Sequence, residues 1–180
     1  MERHRQLALW LMANREKISD KDVLHFAPEP SIKALIEPFA YSYRTADVDE
    51  ARADIVLDIE SIDLPAASID MVLCNHVLEH VDHKRALGEL FRILRPGGLA
   101  ILSFPIVEGW SQHYDIGRLR TNDDRELHYG QWDHIKMFGA NVRDDIRNAG
   151  FGLSESTALE PAAHKFGLIR GEKLFLASKA

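Results

Sequence analysis

The stretch that decides the fold runs Ile69-Asp70-Met71-Val72-Leu73-Cys74-Asn75-His76-Val77-Leu78-Glu79-His80-Val81 and continues at residues 82–104 as DHKRALGELFRILRPGGLAILSF. Its two ends, residues 69–74 and 99–104, are short apolar runs without regular polar alternation, which predicts strands buried on both faces. Between them Asp82 is a predicted N-cap, and the helix after it has an apolar stripe at helical spacing: Leu87, Leu90, Phe91 and Leu94. This order of strand, helix and strand indicates an α/β arrangement.

Weaker patterns on both sides continue the alternation. Before the central stretch we predict a helix within residues 1–20, strands at residues 23–26, 41–46 and 55–57, and a helix capped by Ser31 that ends before Pro38. After it we predict a helix capped by Asn141 and two closing strands at residues 151–156 and 173–178. The pattern predicts an α/β fold with a mainly parallel sheet and an antiparallel C-terminal edge strand.

Length and composition set the class of protein. At about 150 residues per domain, a length of 180 residues predicts a single domain. The composition, with 46% hydrophobic and 28% charged residues, excludes an intrinsically disordered chain. The net charge of −6 argues against nonspecific binding to nucleic acid or to an anionic membrane, so a small-molecule partner is expected. We predict no signal peptide and no membrane span. The lone Cys74 lies in an apolar run, which favours a reducing, cytoplasmic setting.

Residues 105–140 lose this periodicity while aromatic residues and histidines accumulate. Such a long irregular connection is typical of a functional lid, and we expect this insert to lie over the substrate side of the domain. Its aromatic residues either line an acceptor pocket or simply pack: Trp110, Tyr114, Tyr129 and Trp132. A mixed-charge, solvated loop is expected around Arg118, Arg120 and Arg125.

Open α/β sheets bind ligands beyond the carboxyl ends of their strands, so the residues just past each predicted strand are candidates. Asp47 lies 21 residues beyond Phe26, the spacing at which a carboxylate can accept from both hydroxyls of a ribose. The alternative is that Asp47 or Asp49 opens a turn. No G-x-G-x-x-G is present, so dinucleotide chemistry is disfavoured and a nucleoside without a pyrophosphate is expected.

Several of these segments, in order, carry a family resemblance. Residues 23–29 (VLHFAPE), 45–49 (TADVD), 69–81 (IDMVLCNHVLEHV) and 90–98 (LFRILRPGG) resemble the class I S-adenosylmethionine-dependent methyltransferases, most closely the type 11 methyltransferase-domain group. Residues 129–139 (YGQWDHIKMFG) are similar to the D-H-x-R-x-Y-G segment of one subgroup, with Lys136 and Phe138 substituted. The usual D-x-G-x-G-x-G loop is replaced by HFAPEPS at residues 25–31.

The resemblance implies a Rossmann-like, doubly wound sheet with helices on both faces, S-adenosylmethionine as cofactor and S-adenosylhomocysteine as product. It also implies cofactor contacts. The loop of Phe26, Ala27, Pro28 and Glu29 would lie beside the methionine part of the cofactor. Asp47 and Val48, at the end of the second strand, would lie at the ribose, and Asp58 and Ile59, after the third, at the adenine. Asn75 and His76, after the fourth strand, would lie at the methyl donor.

Methyl transfer from a sulfonium needs an aligned acceptor and, for a hydroxyl or amine, a base. His134 is the first candidate because it lies in the aromatic segment, and His76, His80 and Asp133 follow. Residues 76–80 also spell H-x-x-E-H, the inverted zinc-peptidase motif of His76, Glu79 and His80. That motif needs a continuous helix, whereas the Asp82 cap predicts a turn there, so we predict no metal ligands.

The sequence therefore predicts a methyltransferase acting at oxygen or nitrogen of a small-molecule or glycan-related acceptor. Two alternatives stay open: a noncatalytic domain of the same fold that binds a nucleoside or a protein partner, and a zinc-dependent hydrolase. The oligomeric state is not predicted.

Overall fold

A computed structural model describes residues 3–117, 119 and 121–180. Met1, Glu2, Arg118 and Arg120 lie outside the described residues, so two of the three arginines of the expected mixed-charge loop are not described. The described strands form one sheet in the order β3-β2-β1-β4-β5-β7-β6. Their bounds are β1 Asp22–Phe26, β2 Ser42–Asp47, β3 Ile55–Val56, β4 Ile69–Asn75, β5 Leu94–Ser103, β6 Gly152–Thr157 and β7 Lys173–Ser178.

The sheet is mainly parallel, as predicted. The ladders that join β3, β2, β1, β4 and β5 are parallel. β7 runs antiparallel to both β5 and β6 at the C-terminal side of the sheet. The predicted antiparallel edge is therefore confirmed, with β7 placed between β5 and β6.

Helices cover both faces of the sheet. Their bounds are α1 Arg3–Ala13, α2 Pro30–Ile36, α3 His83–Ile93, α4 Asn122–Tyr129, α5 Val142–Asn148 and α6 Ala162–Phe166. Alternate strand residues enter opposite cores, since Val23 packs with α1 and α2 whereas Leu24 packs with α3 and α5. The doubly wound architecture predicted from the resemblance is confirmed. None of the helices in the described part of the chain has the length and apolarity to cross a membrane.

Two helix starts test the capping predictions. Asp82 does cap α3, because its side chain accepts from the backbone N of Lys84 at 3.1 Å. Ser31 does not cap α2, which begins one residue earlier, with Glu29 as the N-cap residue and Pro30 in the first turn. Proline is favoured there because its missing N–H has no partner in the first turn of a helix anyway.

The insert at residues 105–140 is less irregular than the sequence predicts, because it contains α4. Thr121 caps this helix through a hydrogen bond from Asp124 N at 3.1 Å, and Gly130 ends it with a φ of +78°. Within α4 only Tyr129 is buried, so no apolar stripe marks the helix in the sequence.

A buried polar network ties the end of the insert to α3 and α5. Asp145 accepts from Nε2 of His83 at 3.0 Å and from Nε2 of His113 at 2.6 Å. Lys136 donates to Nδ1 of His83 at 3.0 Å and to the carbonyl of Val81. The substituted lysine of the 129–139 segment therefore has a structural role, and the network positions the residues that precede it.

Candidate cofactor and acceptor site

The strand register brings the predicted ligand residues to one edge of the sheet. Phe26 pairs with Cys74 across β1 and β4, and Asn75 pairs with Ser103 across β4 and β5. On the other side, Asp47 pairs with Val56 across β2 and β3. Because these ladders are parallel, the carboxyl ends of the five strands lie side by side, where open α/β sheets bind ligands.

Two backbone positions at this edge are left-handed without being glycine. Ala27, directly after β1, has a φ of +48°, and His76, directly after β4, has a φ of +53°. Each is held by a backbone hydrogen bond, from Ala27 N to Ala46 O at 2.9 Å and from His76 N to Ser103 O at 2.8 Å. Such a conformation costs an L-residue roughly 1–2 kcal/mol, and strained positions of this kind cluster at functional sites.

The glycine-free first loop is held by a buried polar chain. His25 Nε2 lies 2.9 Å from one carboxylate oxygen of Glu29, and His4 Nε2, brought by α1, lies 3.0 Å from the other. Tyr43 Oη and His25 Nδ1 are 2.7 Å apart. Burial alone would raise the pKa of Glu29, but the hydrogen bond from His25 and the charges of His25 and His4 hold it below its ordinary value.

The acidic residues that follow β2 and β3 differ in burial and in their neighbours. Asp47 is half-buried, and its Oδ1 accepts from Asp49 N at 3.0 Å, so it forms the turn that the sequence left as an alternative. Val48 beside it is 73% exposed, an apolar side chain free to cover a ligand. Asp58 is exposed and accepts from Glu60 N at 2.8 Å, whereas Ile59 packs in the core.

Asn75 carries an unused donor at this edge. The residue is 3% exposed, and its Oδ1 accepts from the Ser103 hydroxyl at 3.0 Å. Its Nδ2 is buried and has no hydrogen-bond partner among the described residues. Because an unpaired buried amide is costly, this atom marks a position where a ligand acceptor fits.

A cavity of about 270 Å³ adjoins the end of β4. The backbone N of Ile135 donates to the carbonyl of Glu79 at 3.0 Å, which places the 131–134 segment across the opening. The cavity unites the four candidate bases, His76, His80, Asp133 and His134, with three residues that the sequence did not single out as lining: Glu79, Pro105 and Gln131.

This geometry bears on two sequence expectations. Residues 78–80 form a short 3-10 turn and His76 is left-handed, so H-x-x-E-H does not lie on the helix that an inverted zinc peptidase requires. The aromatic residues are not among the described residues that line the cavity. Tyr129 is buried and packs against Tyr114 with ring centroids 5.9 Å apart, while Trp110 and Trp132 are exposed.

Comparison with known proteins agrees with the fold. Residues 34–102 match the sequence profile of the methyltransferase domain family. This match and the relatives below support a class I S-adenosylmethionine-dependent methyltransferase. The chain is 41% identical over 100 residues to a probable S-adenosylmethionine-dependent methyltransferase of Mycolicibacterium smegmatis, and the matched region is 55% of this chain and 35% of that protein. The chain thus spans about a third of the length of that curated relative.

Solved structures share the fold at low identity. A chain of the complex between a Haloferax volcanii methyltransferase activator and a methyltransferase matches with a TM-score of 0.68 and 17% identity, covering 98% of this chain and 90% of that one. Burkholderia thailandensis 1,6-didemethyltoxoflavin-N1-methyltransferase, solved with its substrate and S-adenosylhomocysteine, matches with a TM-score of 0.66 and 17% identity, covering 99% and 78%.

The residues present fit the family's cofactor, S-adenosylmethionine. The unpaired Nδ2 of Asn75 and the carboxylate of Asp47 lie on the edge where open α/β sheets bind ligands, and no side chain beyond Cβ at Ala27 crowds the first loop. Glu29 uses its carboxylate on His4 and His25, so its contribution is to hold the loop in position.

We predict that Glu29→Gln lowers the free energy of unfolding by about 1.5–3 kcal/mol at pH 7, because it removes a charge that two imidazoles face. The folded-state pKa of Glu29 is depressed, so its contribution is complete above the ordinary value of 4.5 and is lost as the pH falls through the folded-state value. Urea denaturation of both proteins at pH 7 and below pH 4.5 measures the difference.

The matched control is Glu37→Gln, since Glu37 directly follows α2 and only makes an exposed pair with Lys33 at 3.6 Å. That change should cost less than about 0.5 kcal/mol. A difference between wild type and Glu29→Gln that grows as the pH falls would contradict the role given to Glu29.

Proposed function

We propose that this chain transfers a methyl group from S-adenosylmethionine to an oxygen or nitrogen of a small-molecule or glycan-related acceptor. The observation that carries the proposal is the junction at the end of β4. There the unpaired Nδ2 of Asn75 lies on the ligand edge of the sheet, and one residue later His76 lines the acceptor cavity. The proposed positions of the methyl donor and of the methyl acceptor thus lie at two adjacent residues, Asn75 and His76.

In this arrangement the chain's own residues bind and orient. Asp47 accepts from the ribose hydroxyls, Val48 and the exposed Asp58 flank the nucleoside, and Asn75 donates to it. Phe26, Ala27 and Pro28 form the loop beside the methionine part. The bound cofactor supplies an activated methyl group on a sulfonium. The protein then aligns the acceptor, which accounts for much of the rate of such transfers.

The acceptor's proton is taken inside the cavity. His134 is the first candidate, because its Nδ1 donates to the carbonyl of Tyr129 at 3.1 Å and its ring borders the cavity. In a neutral imidazole with hydrogen on Nδ1, the lone pair is on Nε2, the atom that would accept a proton. His76 and Asp133 line the same cavity and are the second candidates.

One observation favours a second function, a noncatalytic domain that binds a nucleoside or a protein partner. The first loop has no glycine, and the carboxylate of Glu29 is turned to two histidines. The cytoplasmic setting expected from the lone, buried Cys74 suits either function.

Calorimetric titration with S-adenosylhomocysteine tests the cofactor half of the proposal. We expect binding tighter than about 100 µM. Asp47→Ala should weaken it at least about 10-fold, because a hydrogen bond to a charged group contributes about 1.5–3 kcal/mol. Asp49→Ala, two residues away and exposed, is the control and should bind as the wild type does. No detectable heat at millimolar ligand would favour the noncatalytic domain.

The catalytic half is tested with His134→Ala, after a screen with labelled methyl donor has identified an acceptor. We expect turnover to fall by about 100-fold or more, the usual worth of a positioned base, while affinity for S-adenosylhomocysteine is retained. His128→Ala, an exposed histidine of α4, is the control. Unchanged turnover in His134→Ala would remove His134 from the mechanism.

A further inference from the structure

Three potential metal ligands converge beside the acceptor cavity. Glu79 and His80 come from the turn after β4, and His134 comes from the insert. One ligand atom from each lies within 4.8 Å of the others, and the His80 and His134 rings meet edge to face with centroids 4.8 Å apart. Glu79 and His134 are buried and His80 is half-buried, so the cluster is enclosed by protein on one side and open to the cavity on the other.

The hydrogen bonds of both histidines leave the same ring nitrogen unused. His80 Nδ1 lies 3.2 Å from the carbonyl oxygen of Asp133, and His134 Nδ1 lies 3.1 Å from that of Tyr129. A carbonyl can only accept, so each Nδ1 carries the hydrogen and each neutral ring keeps its lone pair on Nε2. Metal-binding histidines are typically oriented in this way, by donating their other ring N–H to a carbonyl or carboxylate.

Glu79 provides an independent observation. The residue is 1% exposed, and neither carboxylate oxygen has a hydrogen-bond partner among the described residues. The Nδ1 atom of His76 is 3.3 Å from Oε1, without hydrogen-bonding geometry. A buried carboxylate without compensation is strongly unfavourable, and a bound cation is one of the few groups that compensate it.

A second cluster in the same domain shows what a purely structural arrangement looks like. In His83 and His113 the Nδ1 atoms accept hydrogen bonds, from Lys136 and from the backbone N of Gly139, so each Nε2 carries the hydrogen that it donates to Asp145. These rings have no lone pair to offer a metal. The two clusters therefore differ in two respects. The histidines carry their hydrogen on Nδ1 in the first cluster and on Nε2 in the second, and the carboxylate is hydrogen-bonded only in the second, at Asp145.

We propose that Glu79, His80 and His134 bind a divalent first-row transition-metal ion. Two imidazoles and one carboxylate on one side of an ion suit Fe²⁺, Co²⁺, Ni²⁺ or Zn²⁺, whereas Mg²⁺ and Ca²⁺ prefer oxygen ligands alone. Bonds of about 2.0–2.2 Å place the ligand atoms of one ion about 3.0–3.6 Å apart at octahedral or tetrahedral angles, so a pair 4.8 Å apart closes by about 1.2 Å or more on binding. The ligand set takes His134 in place of His76, and the geometry is not that of a zinc peptidase.

The remaining coordination positions face the cavity. On the proposed function, an acceptor oxygen or nitrogen binds there and loses its proton more readily while bound to the ion. His134 then holds the ion, and the proton passes to His76 or Asp133, the other candidate bases that line the cavity. The metal site does not depend on methyl transfer, since its three ligands are complete within this chain.

The test is direct titration of the untagged, chelator-treated chain with Zn²⁺ and, in parallel, with Co²⁺. We expect one ion per chain, bound more tightly than about 10 µM, with a visible Co²⁺ spectrum typical of nitrogen and oxygen ligands. Glu79→Gln should weaken binding at least about 100-fold and leave the urea midpoint of the metal-free protein unchanged or higher, because it removes a buried carboxylate that makes no hydrogen bond among the described residues. His80→Gln, at a half-buried ligand, should weaken binding similarly if Glu79→Gln fails to fold.

Two control variants separate this site from other histidines. Asp145→Asn should lower the urea midpoint without changing the stoichiometry, and His164→Asn, which changes an exposed histidine, should change neither. The proposal is overturned if the wild type takes up no stoichiometric ion, or if Glu79→Gln and His80→Gln bind it as the wild type does. Titration with S-adenosylhomocysteine is a separate measurement, so failure of the cofactor proposal would leave this result interpretable.

Discussion

The structure depends above all on the burial of β4 between β1 and β5. Apart from Asp70, the residues of this strand are buried, and its two parallel ladders carry the centre of the sheet. The register of a strand that is buried on both faces is strongly specified, because a shift by one residue would exchange its side chains between the two helical layers. The same register delivers Asn75 to the ligand edge and His76 to the acceptor cavity, so the fold and the site share one constraint.

Much of the fold can be predicted from the sequence because its signals are local. The strands at residues 69–74 and 173–178, the α3 stripe and the Asp82 cap each depend on neighbouring residues. α4 was missed because it buries only Tyr129 and has no stripe, although Thr121 and Gly130 mark its ends. Ser31 was the wrong cap because proline at position 30 begins the helix a residue earlier.

The site was predicted less completely because its contacts are distant in sequence. The edge residues follow from strand order, but the partners of Glu29 come from α1 and from β1, and no local pattern links His4 to the first loop. Glu79 and His134 are 55 residues apart in the chain, and they meet only because the insert folds back over the end of β4. The H-x-x-E-H string drew attention to His76, whereas the structure groups His134 with Glu79 and His80.

The first loop keeps its shape without a glycine. Ala27 takes up the left-handed backbone that the loop needs, and the chain of Tyr43, His25, Glu29 and His4 holds the loop in that shape. Local strain is thus offset by buried polar contacts from three elements. The proposed donor site requires that the loop remain open to a nucleoside beside Asp47 and Asn75.

A crystal structure of the chain with S-adenosylhomocysteine tests this account most directly. We expect the ligand to lie across the carboxyl ends of β1, β2 and β4, with its ribose at Asp47 and a hydrogen bond from Asn75 Nδ2. Ligand density between Thr45, Asp54 and Lys33, away from Asn75, would contradict the account. So would an edge that stays empty at saturating ligand while Nδ2 remains unpaired.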